Sequence, residues 1–153
     1  MAFPPIPSAP PPSDKDKDHV LLLSIFHFVM VGLGAMGLVF ILVHYTIMST
    51  VFENPHMWEN MKDKDGNPVQ MPFNPSQFFN AFRWFYILFA AWGVASMIVN
   101  LIAGIRLRQW KSRTFLLFVA GFNCINFPFG TILGVFTIMV LTRDSMRGRF
   151  DAN

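Results

Sequence analysis

The sequence predicts an all-α integral membrane protein with four transmembrane helices, the last two forming a short C-terminal helical hairpin. Three observations predict it. Of the 153 residues, 53% are hydrophobic and only 14% are charged, whereas soluble domains carry about 25% charged residues. The apolar residues gather in three long runs, Val20 to Phe52, Phe78 to Ile105 and Thr114 to Thr142, each longer than the ~18 residues that mark a candidate span. The basic residues flank these runs and form no independent face, so the pI near 9.4 points to positive-inside orientation and excludes nucleic acid as the expected partner.

The chain divides into a tail over 1–19 and a single membrane domain over 20–153. Expected helices cover about 20–52, 76–105, 114–127 and 130–143, with a polar loop at 53–75. The tail, "MAFPPIPSAPPPSDKDKDH", is rich in proline, which fixes φ and removes backbone donors, so extended polyproline II or disorder is expected. It reads as a spacer more readily than as a ligand for an aromatic groove. The "DKDKD" at its end is a solvated boundary whose aspartates complement the positive end of the first helix. The first apolar run is far longer than the h-region of a cleaved signal peptide, so it is expected to remain as an anchor.

That first helix should end near Ser49 to Phe52, where Pro55 supplies a stop and Trp58 an interfacial anchor. In the loop, Asp65-Gly66 signals a turn closing a short hairpin between Met61 and Val69. Asp63, Asp65 and Gly66 do not complete a calcium loop, which needs a further acidic or amide residue and a distal glutamate. The second helix should start at Pro75 or Ser76, with Ser76 as the cap. Phe78, Phe79, Phe82, Trp84, Phe85 and Tyr86 form an interfacial aromatic belt, from which Arg83 snorkels outward.

The third run contains "NCINFPFGTILG", and charge decides whether it crosses once or turns back. If the chain reverses at Asn126, Pro128 and Gly130, nine basic residues share one side: Lys15, Lys17, Arg106, Arg108, Lys111, Arg113, Arg143, Arg147 and Arg149. Only Lys62, Lys64 and Arg83 lie opposite. Positive-inside bias therefore selects the hairpin and is expected to place both termini on the cytoplasmic side. Pro128 disfavours helical geometry before it and Gly130 eases the reversal. Asn123 and Asn126 are expected to bond backbone groups released at the turn. Each arm is short of the hydrocarbon thickness, so the hairpin either thins the bilayer or is re-entrant.

Small residues at helical spacing mark expected packing faces. Ser96, Asn100 and Gly104 lie at i, i+4, i+8 in the second run. Gly130 and Gly134 form GxxxG in the last, and Gly32, Gly34, Ala35 and Gly37 thin the first helix. Asn100 should face protein and act as structural glue. Cys124, the single cysteine, lies among apolar residues with no cation to favour a thiolate and is expected to pack inertly.

His27 and His44 are the candidate cofactor ligands. They sit about 25 Å apart along one helix and about 100° apart around it. Bis-histidine haem would need a second subunit, and a single axial ligand to haem or a chlorin would need one histidine. The default for both is hydrogen bonding within the protein, with no cofactor. No nucleophile triad, paired carboxylates or phosphate-binding glycine loop is present, so no enzyme activity is expected.

The opening "LLLSIFHFVMVGLGAM" and the ending "NFPFGTILGVFTIMVLTR" together resemble a broad group of small, uncharacterised bacterial four-span membrane proteins. His27, Pro128, Gly130, Thr131 and Gly134 fall on its pattern. The resemblance implies a four-helix membrane fold and supplies no activity; the Pro-rich tail and polar loop look like additions. The expected function is a noncatalytic accessory or structural subunit of a larger membrane complex, respiratory or photosynthetic, held by lipid and by other membrane subunits or copies of itself. The alternatives are a small transporter or channel-like oligomer lined by Ser96, Asn100, Asn123 and Asn126, and a haem- or pigment-binding subunit.

Overall fold

A computed structural model describes residues 13–69 and 72–150; the proline-rich part of the tail lies outside the described residues. Among these the fold is all-helical: α1 (Asp14–Phe52), α2 (Pro55–Glu59), α3 (Pro75–Arg108), α4 (Arg113–Asn123), α5 (Phe129–Leu141) and α6 (Asp144–Phe150). Two of these, α1 and α3, are long and apolar enough to cross a membrane. At 39 and 34 residues they rise roughly 58 and 51 Å, well beyond the ~30 Å hydrocarbon core. By contrast, α4 and α5, with 11 and 13 residues, rise only roughly 16 and 20 Å, so neither crosses by itself. After Arg143 the chain bends by 83° into α6.

The chain forms two compact units: residues up to Leu33 with those from Ser96 onward, and Gly34–Ala95. In the first, α4 and α5 form the expected helical hairpin, and three contacts define it. Arg113 Nε donates to the Leu141 carbonyl at 2.9 Å, Ala120 faces Gly134, and Asn123 faces Gly130. The paired residue numbers sum to nearly the same value, the mark of antiparallel register. Gly130 and Gly134 are needed for this approach. A Cβ on Gly130 would sit 2.6 Å from the Asn123 carbonyl oxygen, and one on Gly134 would strike the Ala120 carbonyl oxygen and the Cys124 sulfur. Thr131 Oγ1 closes the reversal by donating to the Cys124 carbonyl at 2.9 Å.

The hairpin packs with the first part of α1 and the last part of α3 around Val20, Leu23, Ala103, Leu107, Leu116, Val119, Leu133, Val140 and Leu141. Here α6, absent from the sequence expectation, adds Met146 and Phe150 at i, i+4 to the same core. The helix starts and ends that carry the basic residues meet in this unit. Arg143 touches His19 at 3.3 Å and Asp16 at 4.0 Å, and Lys17 and Arg108 line one shallow surface pocket. Arg149 stacks over Trp110 at 5.0 Å.

In the second unit α1 and α3 are an antiparallel pair joined by aromatic side chains. Phe52 stacks on Phe79 at 5.6 Å and Tyr45 meets Tyr86 edge-on at 5.3 Å. Of the expected aromatic belt, Phe79 is buried, whereas Trp84 is 68% exposed. Trp58 is tied by its indole N–H to the Val51 carbonyl at 3.0 Å. The polar loop holds α2 and a tight turn. Lys62 bridges Pro68, Val69 N–H donates to the Met61 carbonyl at 2.9 Å, and Gly66 takes φ +82°, a left-handed angle that glycine adopts without strain.

Four sequence expectations are corrected here. First, α1 starts at Asp14 and not near Val20, because Ser13 accepts the Asp16 N–H at 3.2 Å and the charged turn closes with Lys17 on Asp14 at 3.0 Å. Second, α3 is capped by Asn74, not Ser76: its side-chain oxygen takes the Ser76 N–H at 3.0 Å, with Pro75 as the first helical residue. Third, the Asn123 side chain leaves the turn and reaches α3. Fourth, Gly32 and Gly37 meet nothing within 4 Å, so among the described residues no helix uses them as a close approach.

Candidate functional site

A polar side chain buried among apolar helices needs a partner inside the protein. Three of them find one at one level of the first unit. His27 from α1 and Asn123 from α4 are 0% exposed, and Asn100 from α3 is 1% exposed. The Asn100 side-chain oxygen accepts from His27 Nδ1 at 2.8 Å and from the Asn123 amide at 2.8 Å. Its own NH2 donates to the Asn123 side-chain oxygen at 3.0 Å and to the Ser96 carbonyl at 2.9 Å. The carbonyl of Ser96 can only accept, so it fixes which way the Asn100 amide points. That orientation fixes the reciprocal Asn100–Asn123 amide pair and the His27 tautomer: Nδ1 carries the proton. His27 Nε2 then holds a lone pair, buried and without a hydrogen-bond partner.

One turn away from Asn100, Ser24 Oγ donates to the Gly104 carbonyl at 2.9 Å. Gly104 lies where a Cβ would come within 3.0 Å of the Phe28 ring. Asn100 and Gly104 of the Ser96, Asn100, Gly104 stripe therefore meet α1, and Asn100 also reaches α4. The cluster ties three helices together and seats the short hairpin against the two long ones.

His44 does not join this cluster; it falls in the other unit. Its Nδ1 lies 2.8 Å from the Tyr86 hydroxyl, and its ring stacks between Phe40 and Tyr86 at 5.8 Å from each. Among the described residues no group of three or more His, Cys, Asp or Glu side chains is arranged to hold a metal. In the polar loop, the Asp63 carboxylate is held below the usual carboxylate range, chiefly by the backbone N–H of Asn67; desolvation opposes this, and the backbone N–H of Asp65, the Asn67 side chain and the backbone N–H of Gly66 add to it. It is a fully solvated turn.

Sequence reasoning grouped Asn100 with Asn123 only as pore-lining side chains in the transport alternative and did not foresee that Asn123 and His27 meet on Asn100, though a signal that puts His27 and Asn123 at one level exists. His27 lies ten residues past Lys17 and Asn123 ten past Arg113, so both sit roughly 15 Å from the same basic boundary. Polar residues at equal depth on neighbouring helices are natural partners.

Comparison with protein-family profiles, with curated proteins and with solved structures gives no match for this chain. Its class is defined by its own geometry: an all-helical protein with two helices able to cross a membrane.

Proposed function

We propose that this chain is a noncatalytic, multi-pass protein of the bacterial inner membrane that serves as an accessory or structural subunit of a larger membrane complex, respiratory or photosynthetic. In this reading α1 and α3 cross the bilayer and the α4–α5 hairpin enters from the basic side, reaches partial depth and returns. Both termini are then cytoplasmic, and the four membrane-embedded helices match the group that the two end motifs resemble.

The observation that carries the reading is the contrast between the two units. The buried amides of the first unit, Asn100 and Asn123, are used up in joining its helices, which argues for a structural role. Along the second unit Met36, Phe40, Leu42 and Leu88 stand exposed on a bare helix pair, and Gly37 is open, so a foreign helix can approach closely. Purification in a mild detergent tests this: the chain is expected to migrate with other membrane chains in fixed ratio. Consistent migration alone, with no partner and no self-association, overturns it.

The transport alternative draws no support from the amides, because Asn100 and Asn123 satisfy each other in a closed cluster. Flux through liposomes containing only this protein, no greater than that of an Asn100→Leu variant, eliminates it. A ligand reading has one observation in its favour, the unpartnered Nε2 of His27. An imidazole whose Nδ1–H is anchored by an amide oxygen has the posture of a metal-ligating histidine, and haem or a chlorin is the class it would bind. Full burial leaves a tetrapyrrole no approach to it in this conformation. A visible spectrum without a Soret or chlorin band, unchanged by His27→Ala, removes this reading.

A further inference from the structure

We propose that the apolar groove between α1 and α5 holds one acyl chain of an anionic phospholipid, whose phosphate is bound by Arg143 and His19 on the line of the groove. The groove has a volume of about 310 Å³ and is walled by Phe26, Val29, Met30 and Leu33 on one side and Phe129, Ile132, Leu133 and Phe136 on the other. Each set follows i, i+3, i+4, i+7, so each wall is a single straight face of its helix.

Register decides where the groove leads. His19, Phe26 and Leu33 recur every seven residues on α1, and Phe129, Phe136 and Arg143 do the same along α5 and its end. A seven-residue step turns a helix by only about 20° from two full turns. The two strips run antiparallel, so Leu33 pairs with Phe129, Phe26 with Phe136, and His19 with Arg143. The last of these pairs is in contact at 3.3 Å. The His19–Arg143 pair thus stands on the line of the groove, one heptad or roughly 10 Å beyond its Phe26–Phe136 end.

Length agrees with one leaflet. From His19 to Leu33 the strip rises roughly 21 Å, against about 20–22 Å for half of a bilayer including its headgroup region. Charge agrees with an anionic headgroup. The Arg143 side chain is 45% exposed despite its 4.0 Å contact to the nearly buried Asp16, and Arg147 is exposed on the next turn. The short hairpin supplies the need: its exposed tip at Phe127 and Phe129 ends inside the membrane, where an ordered chain completes the apolar contact.

Native mass spectrometry of the full chain tests this, after release from nanodiscs containing phosphatidylglycerol and phosphatidylcholine in equal amounts with identical acyl chains. The wild-type protein is expected to retain one phosphatidylglycerol in about five-fold preference, the ratio one basic contact at a membrane surface supplies. Arg143→Gln should bring the ratio close to one while Arg143→Lys keeps it. Val29→Trp, which fills the groove from an exposed position, should reduce retention of both lipids. Far-UV circular dichroism confirms that each variant is folded. A wild-type ratio near one, a preference untouched by Arg143→Gln, or lipid retention untouched by Val29→Trp overturns the proposal. So does a second copy or another protein chain that occupies the groove and is lost in Val29→Trp.

Discussion

Replacing Asn100 by leucine is expected to destabilise the protein by about 2–4 kcal/mol, more than any substitution of a lipid-facing residue on the same helix. Leucine fits the volume but removes every hydrogen bond that the amide makes. What matters is what it leaves behind: the buried Nδ1–H of His27 and the whole Asn123 amide lose their partners. Each stranded polar group costs about 1–3 kcal/mol when no water or alternative partner reaches it. Interhelical hydrogen bonds in membrane proteins average only about 0.6 kcal/mol because the separated helices find other partners. That discount is smaller here, since both neighbours are fully buried in protein. Thermal unfolding in detergent, followed by tryptophan fluorescence, measures it. The double variant Asn100→Leu with Asn123→Leu should cost less than the sum of the single ones, because the two side chains share one pair of bonds. Additive effects would mean that the amides act separately and do not join α3 to α4.

The second large effect is expected at Gly134. A single added methyl meets the Ala120 carbonyl oxygen and the Cys124 sulfur. The first of these is backbone and cannot swing aside, so α4 and α5 must separate. Overpacking of this kind costs about 1–3 kcal/mol, and Gly134→Leu should exceed Gly134→Ala. The matched control is Gly37→Ala. Nothing lies within 4 Å of that position, and alanine improves helix propensity by about 1 kcal/mol, so the control should be neutral or slightly stabilising in isolated protein. Limited proteolysis across 111–113 and 142–145 reports hairpin opening. Equal behaviour of Gly134→Ala and Gly37→Ala would show that the hairpin is not held by backbone contact.

Much of this architecture is legible in the sequence because membranes leave few choices. The arginines of "RLRQWKSR" and of Arg143 to Arg149 bracket a run too short for two full spans and too polar at its centre for one, and a reversal accommodates both. The Ser96, Asn100, Gly104 spacing likewise marks a packing face, two of whose residues meet α1. Other parts were hidden for physical reasons. The start of α1 was obscured because "DKDKD" is equally at home in solvent and in a capped first turn, and only Ser13 decides it. Asn74 outcompeted Ser76 as a cap because Pro75, lacking an N–H and preset in φ, is best placed as the first helical residue. The short α6 has too few residues to show a period; its Met146 and Phe150 are recognisable only once a core exists to receive them. The destination of Asn123 depends on the relative depth of three helices, which is read only by comparing distances from the basic residues on separate helices and not from any pattern within α4.

The account rests on the reversal between α4 and α5 and on the α1 and α3 crossings that frame it. Cysteine accessibility in sealed, oriented vesicles tests it most directly. On a Cys124→Ala background, single reporters are placed at Lys111 before the hairpin, Ser145 after it and Lys64 in the polar loop, all exposed positions. A membrane-impermeant thiol reagent should modify the Lys111→Cys and Ser145→Cys reporters from the same side and the Lys64→Cys reporter only from the other. Modification of the 111 and 145 reporters from opposite sides would contradict the account.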